Sequence, residues 1–337
     1  MKKGLIKAVA ASVIYAGFAF HLYRPYLKHF GPSEYLFVAN SIIAALGCFV
    51  LSRRWISGFW ESLFAGALYG FGPFLLCLAQ YHPTAGSLAA AVPWLFLPAA
   101  FWPKGRWRWL SRPLCLLPFL AIVLFFQVSA QCRLFAISTQ AKLRLADLAG
   151  LLAPLVTVKQ SLNLVGFYHV GAAALLTGFV MLFKARRFGI VVLLAAGTVL
   201  AFWDSFLQVS PVMWLAVPVL CCSVLVGVGM QGLVSAGSAD RGWVLAAAVV
   251  MMVPATVTLL LAAKYFEVFA GLGKGYARLF VGTAFMYILG AVAVGIIYFM
   301  ARVKLRLRWL RLIILCSATA VDIFWGATFV VDQIFYS

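Results

Sequence analysis

Few residues of this chain could carry chemistry, and Asp322 is the foremost of them. Only 8 of the 337 residues are acidic, and Asp322 lies midway along an apolar stretch, SATAVDIFWGATF. A carboxyl group at the centre of a membrane helix costs roughly 2.5–3.5 kcal/mol to insert. Because of that cost, the Asp322 carboxyl group is a candidate to bind a proton, a cation or a partner's basic residue. A hydrogen bond to a Ser or Thr of a neighbouring helix, or protonation by desolvation, explains the residue equally well.

Three histidines are candidate proton-relay or ligand residues. His21 closes the first apolar segment, His82 lies in the short turn QYHPTAG, and His169 lies near the outer end of the sixth segment. A bis-histidine haem site needs pairs on facing helices, whereas these residues are single and all near one side. His169 with His21 or His82 is the one conceivable pair. The sequence therefore disfavours a haem site without excluding one. It indicates no metal site and no particular cofactor, and bound lipids are expected.

Two amides complete the set of candidate residues. Gln127 and Gln231 lie within or at the end of apolar segments. Amides in such positions join helices, which is their more common role, or contact a polar substrate. With Asp322 and His21, they are the candidate lining of a substrate path or of a proton or cation site.

These residues must be positioned by membrane helices. Hydrophobic residues make up 65% of the chain and charged residues only 10%, whereas a soluble domain carries about 25% charged residues. A helix needs about 20 apolar residues to cross a bilayer, and it satisfies its own backbone. The sequence predicts an all-α polytopic bundle of about 11 transmembrane helices. We place them at residues 5–22, 34–51, 58–79, 86–101, 113–129, 162–183, 188–203, 211–233, 243–263, 279–300 and 311–332.

Basic residues indicate the orientation. Lysines and arginines in alternate loops outnumber those in the other loops by about two to one, which predicts N-in and C-out. The expected location is the bacterial cytoplasmic (inner) membrane. The segments 86–101 and 188–203 are short, and either could be re-entrant, which would reverse the loops that follow.

The longest gap divides the chain into three regions. We expect a five-span unit at 1–130, an outer loop at 131–161 and a six-span unit at 162–337. Leu145, Leu148, Leu152 and Leu155 recur at helical spacing in the loop. The spacing predicts either an amphipathic helix on the outer surface or a plain connection.

Two loops interleave cations with Trp or Leu, in WPKGRWRWLSRP and VKLRLRWLRL. Their pattern indicates contact with anionic lipid headgroups, and docking of a membrane-protein partner is the alternative. The net charge of +19 does not indicate nucleic-acid binding, since no soluble domain is present to carry it. The basic residues of this expected surface are Lys104, Arg106, Arg108, Arg112, Arg302, Lys304, Arg306, Arg308 and Arg311.

Glycine and proline within the segments suggest close packing or broken helices. Gly66, Gly70, Gly227 and Gly232 would permit close approach of helices, and Pro73 is one of six prolines that could free carbonyl groups. Tight packing is the more common outcome.

Residues 1–101 resemble the first half of an EamA-type drug/metabolite transporter repeat. The resemblance is carried by the outer turn YRPYLKHFGPSEY, the basic loop with Arg53 and Arg54, and LAQYHPTAGSLAAAVPWL. It implies inverted five-span units around a central substrate site, although residues 162–337 show no recognisable second copy.

The sequence favours a transporter over an enzyme. There is no P-loop, G-x-S-x-G or H-E-x-x-H motif, and no extramembrane segment is long enough to house a catalytic site. We expect a transporter-like protein for a small organic or lipid-related solute. The alternative is a non-catalytic integral subunit of a larger membrane complex, for instance an electron-transfer or pigment-bearing one.

Overall fold

The computed structural model describes residues 2–81, 83–101, 111–132, 143–154, 156, 168–185, 188–237, 239–265, 267–268, 276–303 and 307–336. Within these ranges the chain is helical, with no strand, as the sequence predicts. The helices are α1 (Lys2–Tyr23), α2 (Pro32–Ser52), α3 (Phe59–Gly70), α4 (Pro73–Tyr81), α5 (Pro83–Leu95), α6 (Leu97–Phe101), α7 (Ser111–Leu114), α8 (Leu117–Cys132), α9 (Ala149–Leu152), α10 (Gly171–Lys184), α11 (Phe188–Phe202), α12 (Ala216–Ser235), α13 (Arg241–Lys264), α14 (Tyr276–Arg302) and α15 (Arg308–Tyr336).

Eight stretches of the described chain are long and apolar enough to cross a membrane, which indicates an integral membrane protein. They are Gly4–Lys28, Glu34–Ser52, Phe59–Leu78, Thr84–Phe101, Pro211–Ser235, Arg241–Lys264, Arg278–Arg302 and Arg308–Phe335. Three shorter apolar helices, Leu117–Ala130, Gly171–Lys184 and Phe188–Phe202, overlap the remaining expected segments. The number of crossings and the orientation stay predictions.

One long segment is broken in its interior. The stretch predicted as a single helix over 58–79 forms α3 and α4, which are separated at Phe71 and Gly72. Pro73 begins α4 and has no backbone N–H to continue the hydrogen bonds of α3. By contrast, Pro254 lies inside α13, which continues past it. A proline therefore breaks only some of these helices.

Glycines allow two close helix crossings. A Cβ on Gly66 would lie 2.4 Å from the Ala45 carbonyl oxygen, and one on Gly70 would lie 2.4 Å from that of Ser41. The predicted close approach at Gly66 and Gly70 is thus confirmed, between α3 and α2. A second crossing joins α10 to α12, where a Cβ on Gly178 would lie 2.2 Å from the Leu225 carbonyl oxygen.

The described part of the outer loop forms short turns rather than one amphipathic helix. A 3-10 turn covers Leu145–Leu148 and α9 follows it at once. Leu145 is exposed, whereas Leu143 and Val156 are buried in the core. Leu155 lies outside the described residues. The described part of this loop is tied to the bundle, because Tyr287 of α14 donates a hydrogen bond to the Leu151 carbonyl at 3.1 Å.

Candidate functional site

The centre of the bundle contains an ionisable pair, Asp322 and His169. Both side chains are 0% exposed. The His169 Nδ1 atom lies 2.8 Å from one carboxylate oxygen of Asp322, and the backbone N–H of Val170 donates to the other oxygen at 2.6 Å. With Asp322 ionised, Nδ1 carries the hydrogen and donates it. The two carboxylate oxygens of Asp322 are therefore contacted by two consecutive residues, His169 and Val170, which lie in one turn.

That turn is the start of a short helix. Val170 is the residue immediately before α10 and has no side chain that can cap it. The first N–H groups of a helix lack partners within it, and the helix dipole favours negative charge there. Asp322 of α15 supplies a cap from another part of the chain. One oxygen of the Asp322 carboxylate thus contacts a helix N-terminus, and the other contacts His169.

The pair lies far from one charged end of each of its helices. Asp322 follows Arg308, the first residue of α15, by about 14 positions, and His169 precedes Lys184, the last residue of α10, by about 15. At 1.5 Å per residue, each lies about 21–23 Å from that charged end. Water or headgroups at those two helix ends are therefore far from the pair.

The break between α3 and α4 contacts the same turn, which contains Tyr168, His169 and Val170. The Tyr168 hydroxyl donates to the Phe71 carbonyl oxygen at 2.6 Å, at the position where the helix is interrupted. A Cβ on Gly326, one turn after Asp322, would lie 2.3 Å from the Tyr168 ring. Tyr168, His169 and Val170 consequently connect a broken helix, a helix start and the middle of α15.

One nitrogen of the pair has no hydrogen-bond partner among the described residues. Within the described chain, the buried Nε2 atom of His169 makes no hydrogen bond. The imidazole ring lies edge to face with Tyr287, at 4.9 Å between ring centroids. Thr283 is one helical turn before Tyr287 on α14, and its buried hydroxyl also has no partner among the described residues. Unpaired buried polar groups are rare and call for an explanation, such as exchange of a proton or binding of water.

The two candidate amides bond to connecting segments. Gln231 donates from Nε2 to the Ser57 hydroxyl at 3.0 Å and accepts from the Ser57 backbone N–H at 3.1 Å. Gln127 donates to the carbonyl of Leu207 at 3.2 Å, in a turn where Leu207 has a φ of 55°. Each amide joins a helix to a connecting segment, and neither bond involves Asp322.

His21 lies next to the site without joining the pair. Its side chain is exposed, and its ring lies 5.4 Å from that of Phe324, two residues after Asp322. His82 lies outside the described residues. His169 pairs with Asp322 and not with His21.

The basic surface is only partly described. Arg302 and Arg308 are exposed, and Arg112 lies in α7. Arg311 departs from the prediction, because it is 4% exposed and donates to the Ala236 carbonyl at 2.5 Å. It joins α15 to the end of α12 and does not belong to an exposed surface. Lys104, Arg106, Arg108, Lys304 and Arg306 lie outside the described residues.

No family model matches this chain, and neither a curated protein nor a solved structure matches it. The resemblance of residues 1–101 to EamA-type transporters therefore rests on the quoted residues alone. The function has to be argued from the site.

Proposed function

We propose that this protein is a membrane transporter for a small organic or lipid-related solute, with Asp322 and His169 as its proton-exchange site. The observation that carries the proposal is the ionisable pair itself. Both side chains are fully buried, and the His169 Nε2 atom has no hydrogen-bond partner among the described residues. Ionisable groups in membrane segments are costly, and they commonly mark ion or proton pathways.

The surrounding backbone supports this function. Transporters commonly bind substrates and coupling ions where helices are interrupted near mid-membrane, because helix ends offer free backbone groups there. In this chain Tyr168, just before α10, bonds to the α3–α4 break, and Val170 at the start of α10 bonds to Asp322 of α15. The pair thus lies where several helical elements meet, rather than within one continuous helix.

The charge of the pair suggests how proton binding would be coupled to movement. With His169 neutral, the pair carries one negative charge, which a low-dielectric interior disfavours unless it is compensated. The N-terminus of α10 supplies that compensation through the Val170 N–H. A proton taken up at Nε2 makes the pair neutral overall and reduces its need for the cap. The start of α10 can then separate from α15 at lower cost, and release of the proton restores the contact.

Transport in proteoliposomes tests this proposal. The purified protein is reconstituted in vesicles, an inward proton gradient is imposed, and uptake from a mixture of small organic and amphiphilic solutes is measured by mass spectrometry. The comparison uses wild type and Asp322→Asn. Asp332→Asn is the matched control, since Asp332 lies on the same helix and also accepts a hydrogen bond, from Tyr26.

We expect gradient-driven uptake of at least one solute by wild type and Asp332→Asn, and its loss in Asp322→Asn. Equal uptake by Asp322→Asn would reject the proton-exchange site. If wild type transports none of the solutes, and purification from the native membrane yields stoichiometric partner proteins or a visible absorption band, the protein is a complex subunit instead.

A further inference from the structure

Two adjoining cavities open beside the end of α10. Their volumes are ≈ 480 Å³ and ≈ 510 Å³, each within the roughly 300–1,000 Å³ typical of ligand sites. Both are lined by Trp55, Ile190, Val224 and Leu225, so the two spaces share a wall of side chains. They lie between the ends of α2 and α10, the start of α11 and the middle of α12.

The two cavities differ in chemistry. The larger one is lined by apolar side chains and cysteines from four helices and the segments that connect helices, among them Phe96, Leu116 and Leu220. The smaller one reaches Lys184, Gln231 and Ser235 at its far end. An apolar cavity next to a second one whose lining adds a cation and two polar side chains matches a molecule that has a hydrocarbon chain and a negatively charged head.

Lys184 is available to such a head. It is the last residue of α10, it is exposed, and its Nζ atom lies 5.8 Å from the ring centroid of Trp243. It forms no ion pair within the part of the chain that the structure describes. Arg186 and Arg187 follow it in sequence, so the net charge of this segment is strongly positive. Gln231, in contrast, is already bonded to Ser57.

We propose that the two cavities together bind one phospholipid with an anionic headgroup. An acyl chain occupies the larger cavity, and the headgroup phosphate lies at Lys184 in the smaller one. Charge complementarity favours this occupant, because basic residues next to membrane segments attract anionic lipids of the leaflet they face. The site is independent of the proposed proton exchange, since Lys184 is about 15 residues, or about 23 Å along a helix, from His169.

Fluorescence quenching in nanodiscs tests the site. The protein is placed in phosphatidylcholine nanodiscs that contain a small fraction of phosphatidylglycerol with brominated acyl chains. Trp55 emission is obtained as the difference between wild type and Trp55→Phe. Brominated phosphatidylcholine at the same fraction reports on quenching by the surrounding bilayer. We expect quenching of Trp55 by the anionic lipid to saturate at a low fraction, and quenching by the zwitterionic lipid to rise only in proportion to its amount.

Two variants with a matched control locate the lipid. Lys184→Gln should weaken binding of the brominated phosphatidylglycerol about fivefold, as expected for the loss of one cation beside an anionic lipid. Gly189→Leu should abolish saturable quenching, because Gly189 lines the larger cavity and the new side chain would occupy it. The fold should accept this change, because a Cβ at Gly189 meets no atom within 4 Å. Gly295→Leu is the control, because its Cβ is equally unobstructed and it lies on α14, away from both cavities.

Equal quenching by the two lipids in wild type would overturn the proposal, and so would unchanged binding in both Lys184→Gln and Gly189→Leu. Thermal unfolding in detergent shows whether Gly189→Leu remains folded. These results do not depend on transport, so a protein that binds the lipid but moves no solute would reject only the proposed transport function.

Discussion

Two polar links in this bundle differ in how fully they are satisfied. Gln231 near the end of α12 donates to Ser57 and accepts from it, so both ends of its amide are used. The Asp322–His169 pair at the centre uses both carboxylate oxygens but leaves the Nε2 atom of His169 without a partner among the described residues. The first link lies at a partly exposed helix end and the second is fully buried. A pair whose donors and acceptors are all bonded holds helices together. A pair that leaves a ring nitrogen without a partner can also bind a proton there.

The largest expected effect is on the central pair. Asp322→Ala leaves His169 and the Val170 N–H without their acceptor in the interior. Removal of one member of a buried pair costs about 3–5 kcal/mol. Thermal unfolding in mild detergent should show a large loss of stability. A loss of stability no greater than that of Asp332→Ala would contradict a larger contribution of the central pair to stability.

Coupling within each link sharpens the comparison. A double-mutant cycle of Asp322→Ala and His169→Ala should give an interaction free energy toward the upper part of the range of about 0.5–3 kcal/mol seen for contacting residues. The same cycle for Gln231→Ala and Ser57→Ala should fall at the lower end, since these groups are partly exposed. The measurement is unfolding free energy in detergent. Equal couplings would contradict the distinction between the two links.

Packing around the pair should be the next most sensitive feature. Gly326→Ala places a Cβ where the Tyr168 ring lies, and such overpacking costs about 1–3 kcal/mol. Gly295→Ala on α14 is the control, because nothing lies within 4 Å of its Cβ. The midpoint of thermal unfolding should fall for Gly326→Ala only. An equal midpoint for the two variants would show that Tyr168 is free to move away.

The smallest effects are expected at the amides. Gln231→Ala removes two hydrogen bonds at a partly exposed position, and Gln127→Ala removes one. A hydrogen bond contributes about 0.5–1.5 kcal/mol net, and exposed groups can bond to water instead. Both variants should unfold within a few degrees of wild type and should transport as wild type does. Loss of transport with an intact fold would return these amides to the substrate path.

The sequence indicated the helices and singled out Asp322, which is buried, because apolar runs and the isolated acids within them can be recognised from the sequence alone. It also indicated the close approach at Gly66 and Gly70. It did not indicate the Asp322–His169 contact, because 153 positions separate the two residues and only histidines were considered as partners for His169. One usable signal was Val170, since a helix that starts with no capping side chain needs a partner from elsewhere.

Arg311 shows a second limit of the sequence. It continues an alternating run of cations, which favoured a surface position, yet its side chain is buried against the end of α12. A helix turns by 100° per residue, so neighbours in one basic cluster can face opposite directions. Which of them faces inward depends on the packing of α12 against α15, which the charge pattern does not contain.

Nitrogen NMR of the ¹⁵N-labelled histidines in bilayers tests the central claim most directly. With only 4 histidines in the chain, His169→Asn identifies the His169 signals by their loss. We predict that the His169 ring gains and loses a proton reversibly as pH changes, and that Asp322→Asn alters this titration whereas Asp332→Asn does not. A His169 ring that keeps one protonation state over the whole pH range in which the protein stays folded would contradict proton exchange at this pair.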